Sequence, residues 1–440
     1  MTLGIIGIFL GIFCLIFGAF NRVGALPMSL LATLVIALTS GLDVWDAFSN
    51  LYMNGFASAF VSYFLIFSFS CLYSKLMDVS GSAAAISYKL LDICGKKNVM
   101  TTCCIISGVL CYGGVSGFVI TFLLAPIMFT LFREADIPRH LCIGPVMFGC
   151  ATWVMGCMPG STQLSNVIPS QFLGTSLTAG WWLGLLASAA LIAMHLIYLN
   201  RQVKLSAQRG EHFTYPAGMD ASRYQFADRS QLPPVWKAFL PLVLLIVIII
   251  MGSLFIKNST MLTVVTLAFC SLVCFIINFD RLKGKDPKGL ITSGLGDGFT
   301  AISSMAAILG MGAVITSTPA YMSIVDWILA LDMNPYIKGA VSTALISSIV
   351  GTSAGGLRLT LNSLGGYFTA AGVNPVYMHR ILSISSLTID SLPHAAGQYV
   401  HLGLLGMTQR DCYRHTFRLT VVHTTIVCVV MTAVVVLLLS

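Results

Sequence analysis

Charge is scarce in this sequence. Aspartate, glutamate, lysine and arginine make up 9% of the 440 residues, against roughly a quarter in a typical soluble domain. So few charges cannot dress a solvated surface on all sides, which excludes a free-standing soluble domain. The one long hydrophilic stretch, residues 200–234, lies near the midpoint. Cysteine occurs thirteen times, but never as C-x-x-C and mostly inside apolar runs. That spacing supports neither a disulfide framework nor a zinc site, and the thiols read as small buried hydrophobes. The net charge of +8 is spread over many loops rather than gathered in one patch, so no nucleic-acid partner is implied. No basic segment precedes the first apolar run; Arg22 follows it instead, which argues against a cleaved signal peptide and for an N-terminus on the outer side. The dipeptide Tyr-Asp is absent. The G-x-G-D string at Gly294–Asp297 therefore lacks the partner that a presenilin-type aspartyl protease needs.

Apolar length is what the chain does have. Hydrophobic residues make up 57%, mean hydropathy is +0.88, and several runs approach the ~20 residues that span a bilayer, among them Leu3–Phe20 and Thr416–Leu439. The expected fold is an all-α polytopic membrane protein with two inverted-topology repeats of five crossings each. Each repeat holds one re-entrant hairpin and one broken helix. The first repeat covers residues 1–200, with its hairpin at about 100–131 and its broken helix at about 141–175. A cytoplasmic linker follows at 201–238. The second repeat covers 239–440, with its hairpin at about 338–371 and its broken helix at about 378–407. Matching strings recur at an offset of about 235–243 residues: Asn54-Gly55-Phe56 with Asp297-Gly298-Phe299, and Met158-Pro159-Gly160 with Leu392-Pro393-His394. An odd number of crossings per repeat forces the second to be inverted. Assigning loops to sides on this scheme puts twenty of the 24 Lys and Arg on one face, three (Lys257, Lys338, Arg380) on the other, and Arg358 within the membrane. The rich face is then cytoplasmic, with both termini outside.

Small, hydroxyl and ionisable residues interrupt the apolar runs at four places. Gly113, Gly114 and Ser116 lie in the first hairpin, and Ser161, Thr162, Gln163 and Asn166 in the first broken helix. Thr352, Ser353, Gly355 and Gly356 lie in the second hairpin, and Asp390 and His394 in the second broken helix. Broken backbone at membrane depth is tolerated only where it is buried in protein or lines a wet cavity. Paired breaks in two halves mark the binding region of a transporter. Half-helix N-termini direct positive dipole ends at such a site, glycine lets the backbone approach closely, and hydroxyls and amides supply adaptable hydrogen bonds. That set suits a small carboxylate carrying hydroxyl groups. The alternative is that these residues only pack helices closely.

Arg358 is the one cation left within the membrane, and it needs an acceptor. Its planar fork fits either the substrate carboxylate or Asp390. Asp390 and His394 are the candidates for proton coupling, with a helix-capping role for Asp390 as the alternative. Gly114-Val115-Ser116-Gly117 also matches the G-x-S-G string of rhomboid-type intramembrane serine proteases. Ser353 repeats that pattern in the other half, which binding symmetry explains and a single nucleophile does not.

The strings GGVSGFVITFLLAPIMFTLFREADIPRHL, MPGSTQLSNVIPSQFLGT and GVNPVYMHRILSISSLTIDSLPHAAG resemble the gluconate:proton symporter family, within the wider ion-transporter superfamily, and the likeness extends over nearly the whole chain. It implies uptake of gluconate or a related sugar acid, hydroxy acid or hydroxy amino acid with protons, in the bacterial cytoplasmic membrane. It further implies a homodimeric elevator whose moving part holds the hairpins and broken helices. No cofactor is called for beyond the coupling ion, a proton, with sodium-coupled carboxylate transport or exchange as the alternative. The chain is not expected to be an enzyme. Arg358, and the Ala395-Ala396-Gly397-Gln398 that follows His394, depart from the family pattern at the expected site, leaving the particular anion open.

Overall fold

The computed structural model describes residues 2–21, 23–112, 115, 117–215, 231–253, 255–256 and 259–439. Among these the chain is helical, with no strand. The first half contains α1 (Thr2–Phe20), α2 (Ala25–Ser40), α3 (Met53–Val79), α4 (Ser82–Cys94), α5 (Val99–Tyr112), α6 (Gly117–Glu134), α7 (Ile143–Cys150), α8 (Leu164–Leu173) and α9 (Trp181–Gln208). The second contains α10 (Val235–Ser253), α11 (Ser259–Ile277), α12 (Pro287–Thr316), α13 (Pro319–Ala330), α14 (Pro335–Val350), α15 (Ser353–Ala370), α16 (Pro375–Ser385), α17 (Ala396–Leu404), and the run of α18 (Gln409–Thr416) through a π-helical turn (Phe417–His423) into α19 (Thr424–Leu439). Local chemistry sets many boundaries. Pro287, Pro319, Pro335 and Pro375 occupy first turns behind the caps Asp286, Thr318, Asn334 and Asn374, where a missing N–H costs nothing.

Eight helical runs are long and apolar enough to cross a membrane, by length and composition, among the described residues. The chain is a multi-pass membrane protein. Seven of these runs match expected crossings. The eighth is α6, expected as a re-entrant arm. The expected crossings at α2 and α16–α17 are too short or interrupted to qualify, whereas α10, 19 residues without a break, has the length of a crossing. Two further differences stand out. Helix α13 was not expected; it occupies the place after α12 that α4 occupies after α3. The first broken helix also opens earlier than Met158: α7 ends at Cys150, and a π-helical turn (Trp153–Cys157) precedes the irregular segment. Periodicity gave no sign of that, since Trp153, Val154 and Met155 are as apolar as any helix interior.

The packing pairs correspond between halves. Helix α2 lies on α12 and α3 on α11; α1 touches α13 and α4 touches α10; α5 lies on α7 and α14 on α16; α8 meets α15 and α6 meets α17. The correspondence fails between the long helices and the hairpins. Helix α6 packs on α3, whereas α15 makes no comparable contact with α12. Conversely α17 packs on α12, whereas α8 makes none with α3.

Helices α3 and α12 form the most extensive contact in the chain, and glycines set how closely they cross. A β-carbon on Gly298 would lie 2.6 Å from the Ser68 backbone nitrogen, and one on Gly55 2.9 Å from the Leu309 carbonyl oxygen. Backbone cannot yield as a flexible side chain can. Gly298→Ala is therefore expected to force the pair apart and destabilise by about 1–3 kcal/mol, read as a lower Tm in detergent. An unchanged Tm would mean that the crossing is looser than described.

One end of the molecule gathers the basic loops. Lys75 pairs with Asp297 at 3.0 Å, Lys285 bonds the Val79 carbonyl, Arg281 bonds the carbonyls of Gln231 and Leu232, and Arg410 bonds Asn21. At the same end His212 and the Phe213 N–H donate to Asp136, and these two bonds hold its carboxyl below the ordinary range.

Candidate functional site

The four interruptions come together through specific bonds. Gln163 precedes α8 and donates its side-chain amide to the carbonyls of Cys111 and Val115, 2.8 and 3.1 Å away. This ties the first broken helix to the first hairpin tip. The two broken helices cross at Gly156, where a β-carbon would run into the Ser383 carbonyl. Gly351, at φ 69°, ends α14 and turns the second hairpin; a β-carbon there would meet Ala395 and His394 of the second broken helix.

At the centre two half-helix N-termini touch. The Ser165 hydroxyl, in the first turn of α8, donates to the Ser353 hydroxyl oxygen at the start of α15, 3.1 Å away. Asp390 lies near the Ser353 hydroxyl and backbone N–H and accepts from the Ser391 hydroxyl at 2.9 Å. Asp390 thus sits where an N-terminal helix end most favours an anion. The helix it serves is α15 of the hairpin, not the second half of its own broken helix, where the capping alternative had placed it. His394 donates from Nε2 to the Ser348 carbonyl at 2.8 Å, and its buried Nδ1 has no partner among the described residues. A carbonyl can only accept, so Nδ1 carries the free lone pair when the ring is neutral.

Other expected residues take varied places. Ser161 is buried and accepts from the Gln163 N–H. Thr162 and Thr352 are half-buried. Asn166 is fully engaged: its amide donates to the carbonyls of Ser161 and Leu177, and its oxygen accepts from His379. It is a strut of the break. Gly356 is buried, and a β-carbon there would overlap Ser347, so it lets α15 lie on α14; Gly355 is half-buried at the tip. Gly113, Gly114 and Ser116 lie outside the described residues.

The two arginines exchange the places expected of them. Arg358 is exposed on α15, within electrostatic reach of Tyr63 on α3, and no ion pair joins it to Asp390 among the described residues. It stands on the face of α15 that the long helices leave uncovered, with exposed Asn362 one turn on. Arg380, assigned from sequence to a surface loop, is in fact 0% exposed, and Lys338, assigned to the same side, is buried too. The Arg380 guanidinium donates to the carbonyls of Gly156, Cys157, Leu177 and Ala179, at 3.1, 3.1, 3.4 and 2.7 Å. A broken helix leaves carbonyls without intrahelical donors, and a five-donor fork answers them together. Gly180 and Gly184 open the space it fills, since β-carbons there would stand 3.0 Å from its Cβ and 3.2 Å from its Nε. Its neighbour His379 donates to Asn166 and accepts from Thr175 at 2.6 Å. The overlooked signal was Pro375. It sets the start of α16, so Arg380 lies more than a turn inside the helix. Ser165, also overlooked, had no signal beyond its place two residues after Gln163.

A helical, multi-pass chain whose broken helices and second hairpin meet around a carboxylate, among the described residues, has the form of a membrane transporter. Residues 3–439 match the model for GntP family permeases, and the chain belongs to that family. It is also 27% identical over 427 residues to YxjC, an uncharacterized transporter of Bacillus subtilis (strain 168), a match covering 89% of this chain and 90% of the relative. It is a transporter and not an enzyme.

Proposed function

We propose that this protein imports a small hydroxylated organic anion by proton symport, the anion being gluconate or a related sugar acid, hydroxy acid or hydroxy amino acid. The Ser165–Ser353–Asp390 junction carries this reading. An arriving carboxylate seeks the same helix N-terminus that Asp390 lies beside. Two anions at one helix end repel, so the substrate binds when Asp390 is protonated. One proton then accompanies one anion. Thr162, Thr352 and Gly355, half-buried around the tips, supply hydroxyls and close backbone approach for the substrate.

The paired packing of corresponding helices supports two inverted repeats, residues 1–200 and 239–440, joined by the linker. The unequal packing of α6 and α15 on the long helices supports an elevator in which hairpins and broken helices move against α3 and α12. The uncovered face of α15, with Arg358 and Asn362, is then the route from outside, where Arg358 meets the carboxylate. The basic end faces the cytoplasm of a bacterial inner membrane, both termini lie outside, and the long helices leave room for a homodimer contact.

The test is uptake by proteoliposomes from a panel of sugar acids and hydroxy acids, with an imposed pH gradient and no sodium. Accumulation of at least one acid is expected. Arg358→Ala should weaken its apparent affinity about tenfold or more, the loss of one bond between charged groups. Uptake that demands sodium and ignores the pH gradient would overturn proton coupling. Unchanged affinity in Arg358→Ala would remove that residue from the site.

A further inference from the structure

Four of the eight histidines stand in one file that the substrate site does not use. His195 on α9 is 0% exposed; its Nε2 donates to the Leu419 carbonyl at 3.1 Å, within the π-helical turn. Its ring stacks on His423 with centroids 5.2 Å apart. His423 meets the edge of Tyr198 at 5.8 Å. The Tyr198 hydroxyl lies 2.9 Å from His415 Nδ1, and the His415 ring stacks on His140 at 5.3 Å. His140 Nε2 stands 3.5 Å from the Glu211 carboxylate at the basic end. The file begins in a surface carboxylate and ends beside Phe148 of α7, whose ring lies 6.0 Å from His195. Cys150, two residues on, is within electrostatic reach of Asp390. A second link runs from the Thr424 hydroxyl to the Leu387 carbonyl, three residues before Asp390.

We propose that this file conducts protons between the basic end and the surroundings of Asp390. The inference rests on the proton coupling proposed above. Packing alone would be served by phenylalanine, which leaves no polar atom unpaired. Instead His195 and His423 each bury an Nδ1 without a partner among the described residues, an arrangement with a desolvation penalty and no structural return. The bond to Leu419 accounts for one nitrogen of His195 and leaves the other vacant.

The tautomers give the file a direction. Arg414 Nε donates to His415 Nε2, so a neutral His415 carries its proton on Nδ1 and donates it to the Tyr198 oxygen. The Tyr198 proton is then free to turn toward His423. Each step moves one proton from a donor atom to a vacant lone pair. At His415 the incoming proton takes Nε2 in place of the Arg414 bond and makes an imidazolium, which gives its Nδ1 proton to the Tyr198 oxygen as Tyr198 passes its own on; each group ends neutral, and no other atom or electron pair changes hands. Stacked rings pass the proton by reorienting or through one bridging water. The charged groups facing the file are Arg209 and Glu211 beyond α9, and Asp411, Arg414 and Arg418 on the α18 run. They cluster toward its surface end.

The experiment compares two modes of the same transporter in proteoliposomes, using an acid that the parent accumulates, gluconate first. Gradient-driven uptake is followed together with acidification of trapped pyranine, and substrate-for-substrate exchange, which moves no net proton, is followed separately. Tyr198→Phe keeps the ring and removes the relay oxygen; His415→Gln and His423→Gln remove titratable rings and serve where Tyr198→Phe lowers the yield of folded protein. Each is expected to slow gradient-driven uptake and acidification tenfold or more and to leave exchange within about twofold of the parent. His212→Gln, outside the file, should change neither. A coupled parent whose three variants keep the full driven rate overturns the file alone. Equal loss of driven uptake and exchange assigns these residues to packing and overturns it as well. A parent whose uptake ignores the pH gradient overturns proton coupling itself, and the file with it.

Discussion

Arg380→Ala is expected to yield almost no folded protein. The guanidinium is completely buried, and the carbonyls of Gly156, Cys157 and Ala179 depend on it, while that of Leu177 also accepts from Asn166 and the Gly160 N–H. Each buried acceptor left without a donor costs about 1–3 kcal/mol, and three such losses are a large part of the whole stability of a typical domain, about 5–15 kcal/mol. Water cannot easily take their place at membrane depth. Arg380→Lys should rescue little, because three donors on one nitrogen cannot reach carbonyls spread around a planar fork. Fluorescence-detected gel filtration and thermal melting in detergent would read the effect. A monodisperse Arg380→Ala protein with the parent's Tm would show that the carbonyls find other donors and that the clamp is dispensable.

Asp390→Asn is expected to abolish pH-gradient-driven accumulation while exchange persists. The amide keeps the size of the carboxylate and can still accept from the Ser391 hydroxyl, but it cannot bind and release a proton. It mimics the protonated, anion-accepting state, so affinity for the acid should hold or rise. The decisive comparison is the ratio of driven uptake to exchange in one preparation. Accumulation at the parent's level would leave Asp390 as the cap of α15 alone and move the coupling role to His394, whose free Nδ1 lone pair is the next proton acceptor at the tip.

Much of the architecture was legible before any coordinates. Apolar length, proline-led helix starts and glycine-bearing interruptions are local signals, and they gave an all-helical chain with several membrane crossings. The early opening at Ala151 and the presence of α13 were not legible. The first lies in an apolar stretch where Gly149 is the one weak breaker, and the second is a short apolar helix that periodicity does not separate from its connections. Within the site, Ser353 and Asp390 were found from composition alone, because hydroxyl and carboxyl groups are conspicuous in apolar surroundings.

Sequence by itself determined that this chain crosses a membrane several times, that it carries four breaks in two halves, and which polar groups lie near them. These follow from the solvent each residue must face, a one-dimensional property. Tertiary structure decided which of two arginines is buried. Arg358 and Arg380 look alike in sequence, each beside apolar residues and near a glycine-rich or polar break. Helix phase and the approach of α9 through Gly180 and Gly184 turn one outward and seal the other among carbonyls. Tertiary structure likewise joined Ser165 to Ser353 across 188 positions and His195 to the Leu419 carbonyl across 224. Partners that distant are chosen by packing, and no local pattern records the choice.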